Sequence, residues 1–271
     1  MTAALQAIVL GIVQGLTEFL PVSSSGHLVL VQRLFGWHFG ASLQLSFDVA
    51  LHVGTLLALL IFFRKEWIEL IKGFFSSFGA KPRDWSRDQK LAWMLVLGSI
   101  PAGVAGVLIG EDHLSAPAWV AIFLICGSLI MVAAELWGSR SRRFEDLRAW
   151  DAGTVGIAQA IALLPGISRS GITISTGMLD GLEREAAAHF AFLLSAPVIA
   201  GAGLWQGQKM IRQGGFGGHA GVFAAGFIAA AVTGFFTIKY FLAFLRKHTL
   251  YPFVVYRLAL AALVLVILAV K

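Results

Sequence analysis

Charge is what this sequence has least of. Asp, Glu, Lys and Arg make up 13% of its 271 residues, where a soluble domain carries about 25%. That scarcity excludes an ordinary soluble protein. Cysteine is nearly absent: Cys126 stands alone, so no intrachain disulfide can form, and its apolar helical setting makes packing its expected role. No Lys or Arg occurs among residues 1–10, so a cleaved signal peptide is not expected. What is abundant is hydrocarbon, with 58% hydrophobic residues and a mean hydropathy of +0.79. The chain reads as an integral membrane protein. Its net charge of +6 is then topology to be read loop by loop, and no nucleic-acid partner is expected.

Spanning a bilayer takes about 20 apolar residues per helix. Segments 91–110, 118–137, 186–204, 220–238 and 253–270 satisfy that readily. A sixth, 43–63, is long enough but carries Asp48 and His52. Two further apolar segments fit less well. Residues 153–166 are too short for a span and suit a re-entrant segment. Residues 2–22 are long enough but are interrupted by Gln6, Gln14, Thr17 and Glu18. The expected fold is an all-α integral membrane protein, about six spanning helices plus two re-entrant helix-loop-helix segments. It forms a single membrane domain over 1–271, with halves at about 1–140 and 150–271. Each half is one re-entrant segment followed by three spans. Three is odd, so the second half enters the membrane upside down, as an inverted-topology repeat.

Loop charges orient this arrangement. Arg64, Lys65, Lys72, Lys81, Arg83, Arg87 and Lys90 place loop 64–90 in the cytoplasm, and Arg140, Arg142, Arg143 and Arg148 place loop 139–151 there. Loop 110–117 has no Lys or Arg and belongs outside. Arg246 and Lys247 follow inside by alternation, Lys209 and Arg212 fall outside as a weak dissent, and both termini come out external.

Two polar motifs sit inside this apolar chain: Pro21-Val22-Ser23-Ser24-Ser25-Gly26-His27 and Pro165-Gly166-Ile167-Ser168-Arg169-Ser170-Gly171. They follow similar runs, Gly11-Ile12-Val13-Gln14 and Gly156-Ile157-Ala158-Gln159. Proline and glycine break helices and free backbone N–H groups. With serine hydroxyls and an arginine, those groups make a site for an anionic oxygen cluster such as phosphate.

Gln14 and Glu18 share a helix face, and Ser24 and His27 lie just past the Pro21 break. Ionisable groups at membrane depth mark function by default, so Glu18 and His27 are site candidates. Arg169 offers a planar fork for bidentate phosphate binding. Ser168, Ser170 and Thr173 could add donors, as could Ser25 and Gly26. Ser23 and Ser25 are equally suited to capping the loop backbone. Asp48 and His52 read as a local pair supporting their span, His38, His113, His219 and His248 as interfacial, His189 as ambiguous, and Arg257 as snorkelling from the start of the last helix.

The stretch Gln14-Gly15-Leu16-Thr17-Glu18-Phe19-Leu20-Pro21-Val22-Ser23-Ser24-Ser25-Gly26-His27-Leu28 resembles the first signature of the undecaprenyl-pyrophosphate phosphatases, the bacitracin-resistance (BacA/UppP) family. Residues 165–173, ending Gly171-Ile172-Thr173, resemble the second. The resemblance covers essentially the whole chain. It implies a bacterial inner-membrane enzyme that converts undecaprenyl pyrophosphate to undecaprenyl phosphate and inorganic phosphate, recycling the carrier for cell-wall glycans and giving bacitracin resistance. Its site is expected to open to the periplasm. The resemblance further implies a divalent cation, Mg²⁺ with Ca²⁺ as the alternative, held by Glu18 and Gln14. Gln14 stands where the family has Glu or Gln, so Glu18 is the one carboxylate of that pair. The expected partners are the lipid substrate and membrane lipid, and a homodimer is compatible with this. His27 is the natural general base or acid near neutral pH, and the nucleophile stays open between Ser24 activated by His27, water activated by His27, and His27 itself. The rival reading is a lipid-phosphate or anion transporter or flippase built on the same repeat; a structural membrane protein would leave both motifs without a role.

Overall fold

A computed structural model describes residues 2–37, 41–109, 116–212, 215–216 and 218–270. Among these the chain is helical, with one isolated backbone bridge between Arg142 and Leu182. Its helices are α1 (Ala3–Phe19), α2 (Ser24–Phe35), α3 (Ala41–Phe62), α4 (Arg64–Ser77), α5 (Arg87–Ile109), α6 (Pro117–Trp137), α7 (Ala149–Ile161), α8 (Arg169–Leu179), α9 (Arg184–Arg212), α10 (Ala220–Leu245) and α11 (Tyr251–Val270). Six have the length and apolar composition to cross a membrane: α3, α5, α6, α9, α10 and α11. Their outer surfaces agree, since Leu97, Val107, Leu108, Leu204, Val255 and Val270 are exposed. Apolar surface on that scale needs a lipid solvent.

The expected spans are therefore present, with later ends for α9 and α10. Gln206, Lys209 and Arg212 continue α9, and Lys239 and Tyr240 continue α10, because polar residues end an apolar window without ending a helix. Loop 64–90 is largely helical: α4 buries Leu70, Gly73 and Ser77 while Ile68, Ile71 and Phe75 stay exposed. The expected external loop 110–117, His113 within it and His38 lie mostly or wholly outside the described residues.

Both polar motifs break a helix and start another. α1 stops at Phe19 and α2 begins at Ser24; α7 stops at Ile161 and α8 begins at Arg169. The two restarts share an unusual N-cap. Ser23 has φ 75° and Ser168 φ 74°, and each Oγ accepts from the backbone N–H three residues on, Gly26 at 3.4 Å and Gly171 at 3.1 Å. A left-handed non-glycine residue costs about 1–3 kcal/mol and persists where its surroundings over-determine it. Gly11, Gln14, Ser23 and Gly26 recur at constant offset as Gly156, Gln159, Ser168 and Gly171.

Helix pairing follows the same correspondence. α1 packs on α10 while α7 packs on α5; α6 meets α11 and α3 meets α9. Small residues let the backbones touch. A Cβ on Gly11 would lie 2.3 Å from the Gly226 carbonyl oxygen, and one on Gly156 would lie 2.4 Å from that of Gly98.

Ion pairs collect at one end. Arg142 grips Asp151 through both carboxylate oxygens at 2.9 and 2.6 Å and reaches the Asp180 carbonyl at 3.0 Å. The Asp151 hydrogen bonds raise the Arg142 pKa, and burial raises that of Asp180, which accepts from Thr154. Glu135 accepts from Arg184, from Arg140 at 3.0 Å and from the Leu250 backbone N–H at 2.7 Å, joining α6, α9 and α11.

Two expectations need correction. Arg257 does not snorkel: it is fully buried and bonded to backbone oxygens from three other segments. Cys126 is exposed on the outer face of α6 and does not pack in the core. Asp48 and His52 form the expected local pair, through His52 Nδ1 and the Asp48 backbone oxygen at 2.8 Å, while the Asp48 carboxylate accepts from Gln32 and Gln44. His189 is resolved as a packed residue, stacked between Phe63 and Phe144 with Nε2 at 2.7 Å from Glu66. His248 stacks on Phe244 and His219 precedes α10.

Candidate active site

Glu18 is the hub at the end of α1, with its side chain 3% exposed. A buried carboxylate is tolerated when donors surround it, and these come from α1, α2 and α8. Arg169, from the start of α8, donates to Oε1. Oε2 accepts from Ser24 Oγ at 2.7 Å and Gln14 Nε2 at 2.8 Å. His52 Nε2, on α3, stands 3.5 Å from the same oxygen. The two motifs thus meet across the chain.

A small pocket opens beside this pair, lined by Glu18, Phe19, Arg169, Ser170, Thr173, Ala191, Phe192 and Ser195. Thr173 Oγ1 donates to the Arg169 carbonyl at 2.7 Å, and Ser170 Oγ donates to the Leu20 carbonyl at 2.9 Å, tying the second motif to the first break. Ser168 is the N-cap of α8, its Oγ 3.2 Å from that of Ser170.

The remaining first-motif residues are placed differently. Ser25 is exposed, with Oγ 3.4 Å from that of Ser23, and Gly26 is buried at the cap. His27 is buried and faces α11. Its Nδ1 lies 2.7 Å from the Ser23 carbonyl and its Nε2 lies 2.6 Å from the Tyr256 hydroxyl. A carbonyl accepts only, so Nδ1 carries the proton and Nε2 accepts from Tyr256. Ser24 bonds Glu18 and His27 bonds Tyr256; no bond between Ser24 and His27 joins the described residues.

The donor set suits a divalent cation that uses few protein ligands. Glu18 supplies a carboxylate, and Gln14 Oε1 is buried without a hydrogen-bond partner. Mg²⁺ is typically held by one or two carboxylates, with waters and substrate phosphates completing the shell. Among the described residues no cluster of three His, Cys, Asp or Glu offers a denser alternative.

His52, Ser195 and Tyr256 escaped the sequence reading. His52 carries a usable signal, an ionisable residue inside a span; its contact with Glu18 is tertiary. Nothing in the sequence distinguishes Ser195 or Tyr256 from other span residues.

A family model described as bacitracin resistance protein BacA matches residues 7–263. An undecaprenyl-diphosphatase of Rubrobacter xylanophilus is 46% identical over 276 residues, covering 99% of each chain. One from Thermodesulfovibrio yellowstonii is 43% identical over 267 residues, covering 97% of each. One from Saccharophagus degradans is 40% identical over 261 residues, covering 95% of this chain and 96% of that protein.

Proposed function

The chain belongs to the bacitracin resistance protein BacA family, and from that premise we propose that it is an undecaprenyl-diphosphatase. It hydrolyses the terminal phosphate from undecaprenyl pyrophosphate, giving undecaprenyl phosphate and inorganic phosphate. The observation that carries this reading is the meeting of Arg169 and Ser24 on Glu18 inside an apolar helix bundle. Phosphoryl transfer asks a protein mainly to position groups and neutralise charge, and these three residues are placed for both.

Arg169 and Glu18 neutralise each other. The substrate's phosphate takes over Arg169, whose fork suits two phosphate oxygens. Glu18, freed of that partner, stays bonded to the Ser24 hydroxyl and is placed to accept its proton as Ser24 Oγ attacks the terminal phosphorus. The bond to the bridging oxygen breaks, undecaprenyl phosphate leaves, and water hydrolyses the seryl phosphate. Ser170, Thr173 and Ser195 line the pocket beside Arg169 and supply polar contacts to the phosphate. His27 bonds the Ser23 carbonyl and orients the turn that carries Ser24. Glu18 and Gln14 would hold the divalent cation, Mg²⁺ by their oxygen donors, and bound there it would supply positive charge for the departing phosphate.

The substrate tail belongs among the helices. An apolar cavity of about 350 Å³ lies between α3, α9 and α10, lined by Val49, Val53, Gly203, Met210, Phe223 and Phe227 among others. It suits isoprenoid units, and its wall at Val53 adjoins His52 in the chain. The two helix–break–helix elements are read as re-entrant segments of an inverted repeat, supported by their matching caps and pairing. The protein sits in the bacterial inner membrane. The charge pattern puts 64–90 and 139–151 in the cytoplasm, and the family resemblance implies a site open to the periplasm. The ion pairs of Glu135 with Arg184 and of Arg142 with Asp151 join chain ends assigned to one side, which agrees.

The decisive experiment is phosphate release from undecaprenyl pyrophosphate by purified protein, with and without EDTA. Mg²⁺-dependent release is expected. Substrate binding without release would sink the hydrolase and favour a lipid-phosphate carrier.

A further inference from the structure

Arg257 is buried in the middle of the bundle, with none of its surface exposed. Burying a guanidinium demands a full set of acceptors. The structure supplies six acceptor oxygens around its five N–H groups, all of them neutral, with the Nη2 hydrogens shared among four carbonyls. Nε donates to Ser128 Oγ at 3.1 Å and Nη1 to the Pro21 carbonyl at 3.2 Å. Nη2 donates to the carbonyls of Gly166 and Ile167 at 3.0 Å each, Leu124 at 3.1 Å and Phe123 at 3.5 Å.

Pro21 lies in the break between α1 and α2, and Gly166 and Ile167 lie in the break between α7 and α8. Unwound backbone at membrane depth must find partners inside the protein. One guanidinium provides them for both breaks. Space for it is made by Gly127, where a Cβ would stand 2.2 Å from Arg257 Nη2 and 2.5 Å from the Ile167 carbonyl oxygen. Glu18 and Ser24 flank the first break, and Arg169 starts the helix after the second.

We infer that Arg257 is a positioning residue for catalysis. Its planar fork spans the two breaks and fixes the separation of Glu18 and Ser24 from Arg169. This rests on the phosphatase reading above. A misplacement of about 1 Å costs on the order of 10²-fold in rate. Lysine keeps the charge, but three donors on one nitrogen cannot serve acceptors on both sides of a planar fork.

The test takes Arg257→Lys and Arg257→Ala in the full chain, purified and judged folded by gel filtration and thermal melting. Expected for the folded fraction of both is a kcat loss of about 10²-fold with KM within about threefold. Guanidinium ion added to Arg257→Ala should restore at least tenfold, and methylammonium should not. Hydrogen exchange followed by mass spectrometry should speed up in peptides covering both 20–27 and 164–171. An Arg257→Lys kcat within twofold of the parent overturns the inference, as does faster exchange confined to α6 and α11. Should neither variant accumulate, Ser128→Ala frees the Nε edge and carries the same readouts, with an unchanged kcat and unchanged exchange overturning it. A parent protein that releases no phosphate defeats the phosphatase reading instead, and the exchange data then decide the strut alone.

Discussion

Arg169 donates to Glu18 from the opposite half of the chain. The guanidinium and the buried carboxylate are each other's counter-ion, and the proposed mechanism has the substrate's phosphate replace Glu18 on Arg169. Arg169→Ala should therefore remove the phosphate clamp and leave Glu18 with an unmatched buried charge. Loss of one preorganised donor in comparable sites costs about 10²–10³ in kcat, and Arg169→Ala should lose at least that. Arg169→Lys should recover little, because it keeps charge without the fork. Near-normal kinetics in the lysine variant, measured by phosphate release, would count against bidentate recognition.

Ser24 and Gln14 share one oxygen of Glu18. Glu18→Gln should lower the rate and weaken the response to Mg²⁺ together, since it removes both the proton acceptor and the carboxylate ligand. Ser24→Ala should abolish turnover and keep Mg²⁺ binding. Calorimetric Mg²⁺ titration beside phosphate release separates these effects. A Ser24→Ala enzyme that loses less than about tenfold would return the nucleophile to water, one missing hydrogen bond being worth about 1 kcal/mol.

The contact between His27 and Tyr256 sets a third expectation. If His27 orients the turn through the Ser23 carbonyl, Tyr256→Phe should cost a few-fold in kcat, since one hydrogen bond of about 1 kcal/mol is lost while the ring stays. His27→Ala loses the carbonyl bond as well and should fall further. A His27→Ala loss in the 10²–10⁴ range usual for acid–base catalysis, with a pH–rate limb also lost, would instead make His27 the proton-transfer group.

How far the sequence carries depends on whether a feature is local. The six spans were legible because each writes its own window of about 20 apolar residues. The two breaks were legible because Pro, Gly and Ser act on their own backbone. α4 is hidden by Arg64, Lys65 and Lys72, which read as loop charge while Leu70 and Gly73 still bury one face. Arg257 was misread because an arginine near a helix start ordinarily reaches for water. The carbonyls it serves belong to Pro21 and Ile167, far away in the chain. Spacing pairs His52 with Asp48, which holds through its Nδ1, but only the packing of α3 on α1 sets its Nε2 beside Glu18.

The orientation drawn from loop charges makes a fourth prediction. In a Cys126→Ser background, a single cysteine at Ser115 should react with a membrane-impermeant thiol reagent added from the periplasm. One at Arg83, on the exposed turn Pro82–Asp84, should react only after the membrane is opened. Labelling at Arg83 without labelling at Ser115 would reverse the whole arrangement.

Backbone contact between helices gives the last prediction. A Cβ on Gly156 would press to 2.4 Å from the Gly98 carbonyl oxygen, and the atom it meets is backbone, so α7 and α5 must separate. Overpacking of this kind costs about 1–3 kcal/mol. α7 leads into the break that precedes Arg169, so its displacement also moves the phosphate clamp. Gly156→Ala should therefore lower both thermal stability and kcat. Gly103→Ala, in the middle of α5, meets nothing within 4 Å; it should be neutral or slightly stabilising, because alanine favours a helix over glycine by about 1 kcal/mol. Melting curves and phosphate release measured side by side for the two variants test this. Equal behaviour would mean that the close approach of Gly156 to Gly98 does not hold the second break in place.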